Sequence, residues 1–84
     1  MATREQNEKR FPNWKSLPDG GREYWREIRG RRGWWARYVK IVDASEGTVH
    51  FRQEIYNAEG ELTELHEKYP VDRGHRKMKE DKPG

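Results

Sequence analysis

The chain has 84 residues, 39% of them charged and 31% hydrophobic, with a formal net charge of +3 and no cysteine. That length allows one domain at most. The absence of thiols excludes a disulfide scaffold, thiol catalysis and cysteine metal sites, and no apolar run approaches the ~20 residues of a membrane helix.

So polar a composition favours disorder when it is evenly spread. Here the apolar residues concentrate between Tyr24 and Val71, so a folded middle with loose ends is expected. Met1 to Arg10 is polar, without periodicity and without a signal-peptide core, and reads as a disordered arm over 1–10. A single small β-rich domain is expected over 11–72 and a flexible basic tail over 73–84. A soluble, cytoplasmic protein follows from these features, with no membrane partner.

Phe11-Pro12-Asn13-Trp14 reads as an extended segment pinned to the domain by its two aromatics. Leu17-Pro18-Asp19-Gly20-Gly21 is turn chemistry. Arg22 to Arg29 alternates as a strand, with Tyr24, Arg26 and Ile28 on one face and Glu23, Trp25, Glu27 and Arg29 on the other; Tyr24, Trp25 and Ile28 also fit helical spacing. Gly30-Arg31-Arg32-Gly33 forms a hairpin tip.

Trp34 to Val42, rich in β-branched and aromatic residues, is the central strand. It has apolar residues on both faces: Trp35, Val39 and Ile41 with Arg37, and Trp34, Ala36, Tyr38 and Val42 with Lys40. After a loop in which Gly47 suits a left-handed position, Thr48 to Tyr56 alternates Val49, Phe51, Gln53 and Ile55 against His50, Arg52, Glu54 and Tyr56. Leu62, Leu65, His66 and Tyr69 have helical spacing, but the hairpin-like loop before them and Pro70 after them favour a fourth, edge strand. The fold class is therefore mainly β: a small antiparallel meander of three to four strands, with an irregular N-terminal arm and a mobile C-terminal tail. A helix in place of one terminal element would make it α+β.

Charge is distributed in blocks. Arg22 to Lys40 holds seven basic and two acidic residues, Asp43 to Glu67 holds seven acidic residues against Arg52, and Lys68 to Lys82 turns basic again. One reading is a solvated sheet whose neighbouring strands attract across the ladder. The sharper one is a basic face for a polyanion. Arginine forks pair with phosphates and aromatic faces stack on unpaired bases, so Arg26, Arg29, Arg31, Arg32, Trp34, Arg37 and Tyr38 are the candidate nucleic-acid-binding residues, with RNA or single-stranded DNA as the ligand.

His66 and His75 are the candidates for general acid–base catalysis. No metal site is expected, because no two histidines have ligand spacing such as i, i+4 on a helix, and no cofactor, because no phosphate loop or dinucleotide fingerprint is present. The rival to a non-enzymatic nucleic-acid-binding domain is a protein–protein component, a homodimer or one member of a toxin–antitoxin pair, including a ribonuclease toxin.

Leu17-Pro18-Asp19-Gly20 ahead of the first strand, and the Pro70…His75 close after the last, resemble the TumE-like toxins of bacterial toxin–antitoxin modules. The resemblance implies an α+β toxin that acts on RNA and is neutralised by a partner; of that family's histidine-rich ending, His75 is the match here. The chain also resembles the compact uncharacterised domains of prokaryotic genomes.

Overall fold

Local turn chemistry decides the layout. A computed structural model of the chain describes residues 3–71 and, as strand backbone, 75–77. The elements are α1 (Arg4–Arg10), β1 (Asn13–Ser16), β2 (Arg22–Arg29), β3 (Trp35–Val42), β4 (Thr48–Tyr56), β5 (Leu62–Tyr69) and β6 (His75–Lys77). The six strands form one antiparallel sheet in sequence order. The meander is as expected, with more strands than the three or four anticipated. The aromatic-pinned segment supplies β1, and β5 is followed by β6 and so is not the edge. The remainder of the expected 73–84 tail lies outside the described residues.

Three of the corners share one construction. In 17–21, 43–47 and 57–61 the first residue's N–H donates to the fifth residue's carbonyl, and the fourth residue's N–H donates back to the first. The fourth residue takes a left-handed φ: +90° at Gly20, +68° at Glu46 and +82° at Gly60. Short side chains supply the remaining bonds. Asp43 Oδ1 accepts from the N–H groups of Ser45 and Gly47, and Asn57 Oδ1 from those of Glu59 and Glu61, the Asx geometry that makes these residues turn formers. The left-handed position in the second of these corners belongs to Glu46, not to the expected Gly47. The 30–34 corner is tighter: Trp34 N–H donates to Arg31 O, and Arg32 (φ +56°) and Gly33 (φ +82°) are successive left-handed residues, the signature of a type I′ turn.

Register divides the side chains between two faces. Tyr24 lies opposite Lys40, Arg26 opposite Tyr38, Tyr38 opposite Gln53 and Lys40 opposite Phe51, so these residues share one face. Trp25 opposite Val39, Arg37 opposite Glu54 and Trp35 opposite Tyr56 define the other. Val39 and Val42, both only 1% exposed, point to opposite faces, as expected of a central strand. The compact core is small, with Phe11, Tyr24 and Val42 buried together and Tyr38 and Phe51 packed against them.

α1 covers that core. Within the 1–10 stretch, expected to be a disordered arm, Arg4–Arg10 form this helix. Thr3 and Gln6 make a reciprocal capping box at its start, with Glu5 in the first turn and Lys9 and Arg10 in the last, the arrangement that complements the helix dipole. So short a helix is unstable alone; what holds it is a buried polar cluster. Glu46 Oε1 accepts from Asn7 Nδ2 (2.8 Å) and from the Tyr24 hydroxyl (3.0 Å), and its Oε2 accepts from Arg4 Nε (3.1 Å). Lys40 Nζ donates to Asn7 Oδ1 at 2.8 Å, and Arg22 Nη1 to Glu8 Oε2 at 2.6 Å. Burial pushes the Glu46 carboxyl upward, but the hydrogen bonds from Asn7, Tyr24 and Arg4 outweigh it and hold the group below its ordinary value.

The unfolded chain therefore binds the Glu46 proton more tightly than the folded one. The stability this group contributes is complete above the ordinary carboxyl range and is lost as pH falls through the depressed folded value. In Glu46→Gln this part of the acid sensitivity is expected to vanish, read as a flatter dependence of the urea midpoint on pH below about 5. A second expectation concerns Gly21, where an added Cβ would sit 2.2 Å from the Val42 carbonyl oxygen. Gly21→Ala should cost about 2 kcal/mol or more by forcing β2 from β3. At Gly60 nothing lies within 4 Å of an added Cβ, and Gly60→Ala should cost only the ~1 kcal/mol of a left-handed backbone. Urea unfolding of both variants checks the order.

Candidate nucleic-acid interface

The two faces of the sheet differ in electrostatics. On the face of Trp25 and Val39 opposite charges meet across the ladder. Lys15 lies 3.6 Å from Glu23, and Arg37 lies 2.9 Å from Glu27 and 4.0 Å from Glu54; within β4 Arg52 lies 2.7 Å from Glu54, and His50 Nδ1 lies 3.9 Å from Glu67. Trp35 and Tyr56 stack there at 4.2 Å and 11°, with the Arg37 guanidinium 5.4 Å and 5.7 Å above the two rings. The Tyr56 hydroxyl donates to Glu54 Oε1 at 2.7 Å; burial raises its pKa, and Glu54 raises it further. This face is neutralised from within. The cross-strand attraction anticipated from the charge blocks is realised here.

The opposite face, which α1 covers at one end, carries Arg26, Lys40 and Lys68 with the aromatics Tyr38 and Phe51. By register, the described strands contribute Glu64, opposite Ile55, as this face's carboxylate. Among the described residues Arg26 and Lys68 make no ion pair and have rings beneath them instead. Arg26 lies 5.5 Å from the Tyr38 centroid, and Lys68 5.5 Å from Tyr38 and 5.8 Å from Phe51. Gln53 Nε2 donates to the Tyr38 hydroxyl at 3.1 Å, which fixes that ring's tilt. Near the edge Arg22 stacks on Trp14 at 3.6 Å, and Glu8, first among its influences, raises its pKa.

The structure brings some of the sequence-predicted residues together and separates others. At the tip Arg31 and Arg32 are exposed, Trp34 is 41% exposed, and Arg29, Arg31 and Arg32 make no ion pair with a described residue. Trp34, expected within the central strand, belongs to the turn just ahead of it. A hollow of about 220 Å³ lies beside it, lined by Ile28, Arg29, Trp34, Ala36, Tyr38 and Ile55 among others. A second, of about 420 Å³, is lined by Glu27, Arg29, Trp34 and Trp35. Of the second hollow's lining, Glu27, Arg29 and Trp35 lie by register on the opposite face, whereas Arg26 and Tyr38 continue the surface of the first hollow along the α1-covered face. Arg37 does not: it lies on the opposite face between Glu27 and Glu54, because residues one apart on a strand point to opposite sides. Lys68, Lys40 and Gln53 belong to the surface but were not singled out in the sequence. Alternation along β3, β4 and β5 could have placed Lys40, Gln53 and Lys68 there, Lys68 following Glu64 and His66; the bulge in β5, which the sequence does not mark, is what brings Tyr69 opposite Phe51.

The two candidate catalytic histidines are brought to one rung, because the register of β5 and β6 sets His66 opposite His75. Among the described residues no group of three or more His, Asp or Glu could hold a metal ion, and no helix is long and apolar enough to cross a membrane. No family model, curated protein or solved structure matches the chain.

Proposed function

We propose that the chain is a binding domain for single-stranded nucleic acid, RNA or DNA, and that it uses the α1-covered face of the sheet from the Arg31–Trp34 tip inward. The observation that carries this reading is the contrast between faces. One pairs its charges internally, whereas the other leaves Arg26 and Lys68 over aromatic rings, on the side that leads to an exposed tryptophan and to Arg31 and Arg32 at the tip. A stacked base and its phosphate need a ring and a cation side by side. The left-handed φ of Arg32, +56°, supports the same reading: a non-glycine residue held there costs about 1 kcal/mol, and it keeps two adjacent arginines at the apex.

A second reading is RNA cleavage, in line with the toxin resemblance; the observation favouring it is the His66–His75 rung, which puts two histidines, the residue type most used in general acid–base catalysis, on neighbouring strands.

Fluorescence anisotropy with labelled oligouridylate at low and moderate salt tests the first reading. Arg31→Gln with Arg32→Gln should reduce the dependence of log affinity on log salt by roughly 1.4, two contacts at about 0.7 each. Trp34→Ala should lose about 1–3 kcal/mol of stacking. Arg37→Gln, on the other face, should leave affinity unchanged. No binding to the intact chain at low salt, or a loss with Arg37→Gln equal to that at the tip, would refute the surface proposed. For the second reading, the purified chain should cleave RNA and the His66→Ala, His75→Ala double variant should not; cleavage that survives in the double variant removes that assignment.

A further inference from the structure

The α1-covered face ends, away from the tip, in a separate hollow of about 480 Å³ whose described lining includes Arg10, Phe11, Lys40, Phe51, Lys68 and Tyr69. Three of these are cations, and no carboxylate is among the described residues that line it. They come from three elements: Arg10 from the last turn of α1, Lys40 from β3, and Lys68 from the irregular stretch of β5 beside the Phe51–Tyr69 pair. Lys40 gives one proton to Asn7 Oδ1, which leaves two donors on its ammonium. Burial lowers the Lys40 pKa, the nearby Arg10 lowers it again, and Glu46 offsets this in part. Lys68 makes no ion pair with a described residue and rests on ring faces instead.

Like charges set around one hollow repel until an anion enters. The floor is apolar, since Phe11 is 5% exposed and packs into the core cluster with Phe51 at its margin, while Tyr69 at the rim is 46% exposed. The ligand that fits has a compact, highly charged anionic head and a flat apolar body. A terminal phosphomonoester carries close to two charges at neutral pH, more than the single charge of an internal phosphodiester, and a nucleobase supplies the flat body.

We infer that this hollow seats the phosphomonoester of a nucleotide, its oxygens between Arg10, Lys40 and Lys68 and its base against Phe51 and Tyr69. The nucleotide is the 5′-phosphorylated end of a strand or a free nucleoside monophosphate. The strand-end source rests on the binding function proposed above: β3 runs from Lys40 to the tip at Trp34 over about 20 Å, so a strand anchored in the hollow would continue past Tyr38 toward the tip.

The experiment uses the full chain and three probes: labelled oligouridylate with a 5′-phosphate, the same oligomer with a 5′-hydroxyl, and uridine 5′-monophosphate followed by calorimetry. The 5′-phosphorylated oligomer should bind about tenfold more tightly at low salt, the value of a new charge-assisted set of hydrogen bonds. Lys68→Gln, whose folding is checked by its urea midpoint, should collapse that ratio to near one and weaken monophosphate binding. Arg10→Gln should do the same through a different element. Equal binding of the two oligomers with no binding of the monophosphate overturns the hollow and leaves the sheet surface standing. Monophosphate binding without oligomer binding overturns the sheet surface and leaves the hollow, with a free nucleotide as its ligand. Monophosphate binding that ignores both substitutions overturns the hollow.

Discussion

The fold depends on one buried carboxylate. Glu46 is 8% exposed, yet it accepts hydrogen bonds from the helix, through Arg4 and Asn7, and from the sheet, through Tyr24. A buried charge is tolerated only when its lone pairs are filled, and here the groups that fill them are those that fasten α1 over Phe11, Tyr24 and Val42. The backbone at Glu46 is left-handed, where the equivalent corners have Gly20 and Gly60. That strain of about 1 kcal/mol is offset because no glycine could reach back to the helix. Removing the carboxylate would leave Asn7, which is fully buried, with an unpartnered amide, so turn, helix and core stand or fall together.

A sheet with one seven-residue helix for cover must otherwise cover itself. It does so differently on its two sides. Opposite the helix, long charged side chains pair across strands and lie over Val39, Trp35 and Tyr56, so charge acts as a lid for apolar surface in the way that arginine stems allow. On the helix side Arg26 and Lys68 lie over rings and make no ion pair with a described residue, and the surface between helix and tip is left open. The same +3 chain thus has one face whose charges are used in folding and one on which Arg26 and Lys68 remain available to an anion.

The layout was legible because its determinants are local. Asp19-Gly20, the Asp43 and Asn57 corners and the Gly30–Gly33 tip each state a reversal in a few residues, and period-two alternation then sets the faces of β2, β3 and β4 from His50 onward; at the start of β4 a bulge opposite Val42 puts Thr48 where Val49 was expected and leaves Val49 50% exposed. β5 was legible only from its flanks, since Leu62, Leu65 and Tyr69 satisfy helical spacing and the strand is decided by pairing with β4. α1 was missed although Thr3 and Gln6 carry a capping signature, because the segment has no apolar stripe; its attachment is polar and is made by Asn7 to residues 33 and 39 positions away. Gly47 was expected at the left-handed corner because glycine is the conformational default. Glu46 takes that place for a tertiary reason that no local pattern contains.

The candidate site was half legible for the same reason. A cluster of arginines and aromatics in sequence is not a cluster in space on a strand, since neighbours alternate sides; Arg26 and Tyr38 meet across β2 and β3, while Arg37, next to Tyr38 in the chain, is on the far side between two glutamates. What sequence could not supply was compensation, that is, which cations already have a carboxylate. Arg37 and Arg26 are the same residue type at similar positions in adjacent strands. Register alone gives one of them Glu27 and Glu54 and gives the other the face of Tyr38. An ion-paired guanidinium would have to break its pair before it could hold a phosphate, whereas one resting on a ring keeps its N–H edge toward solvent. The split in function therefore follows from strand pairing, not from composition.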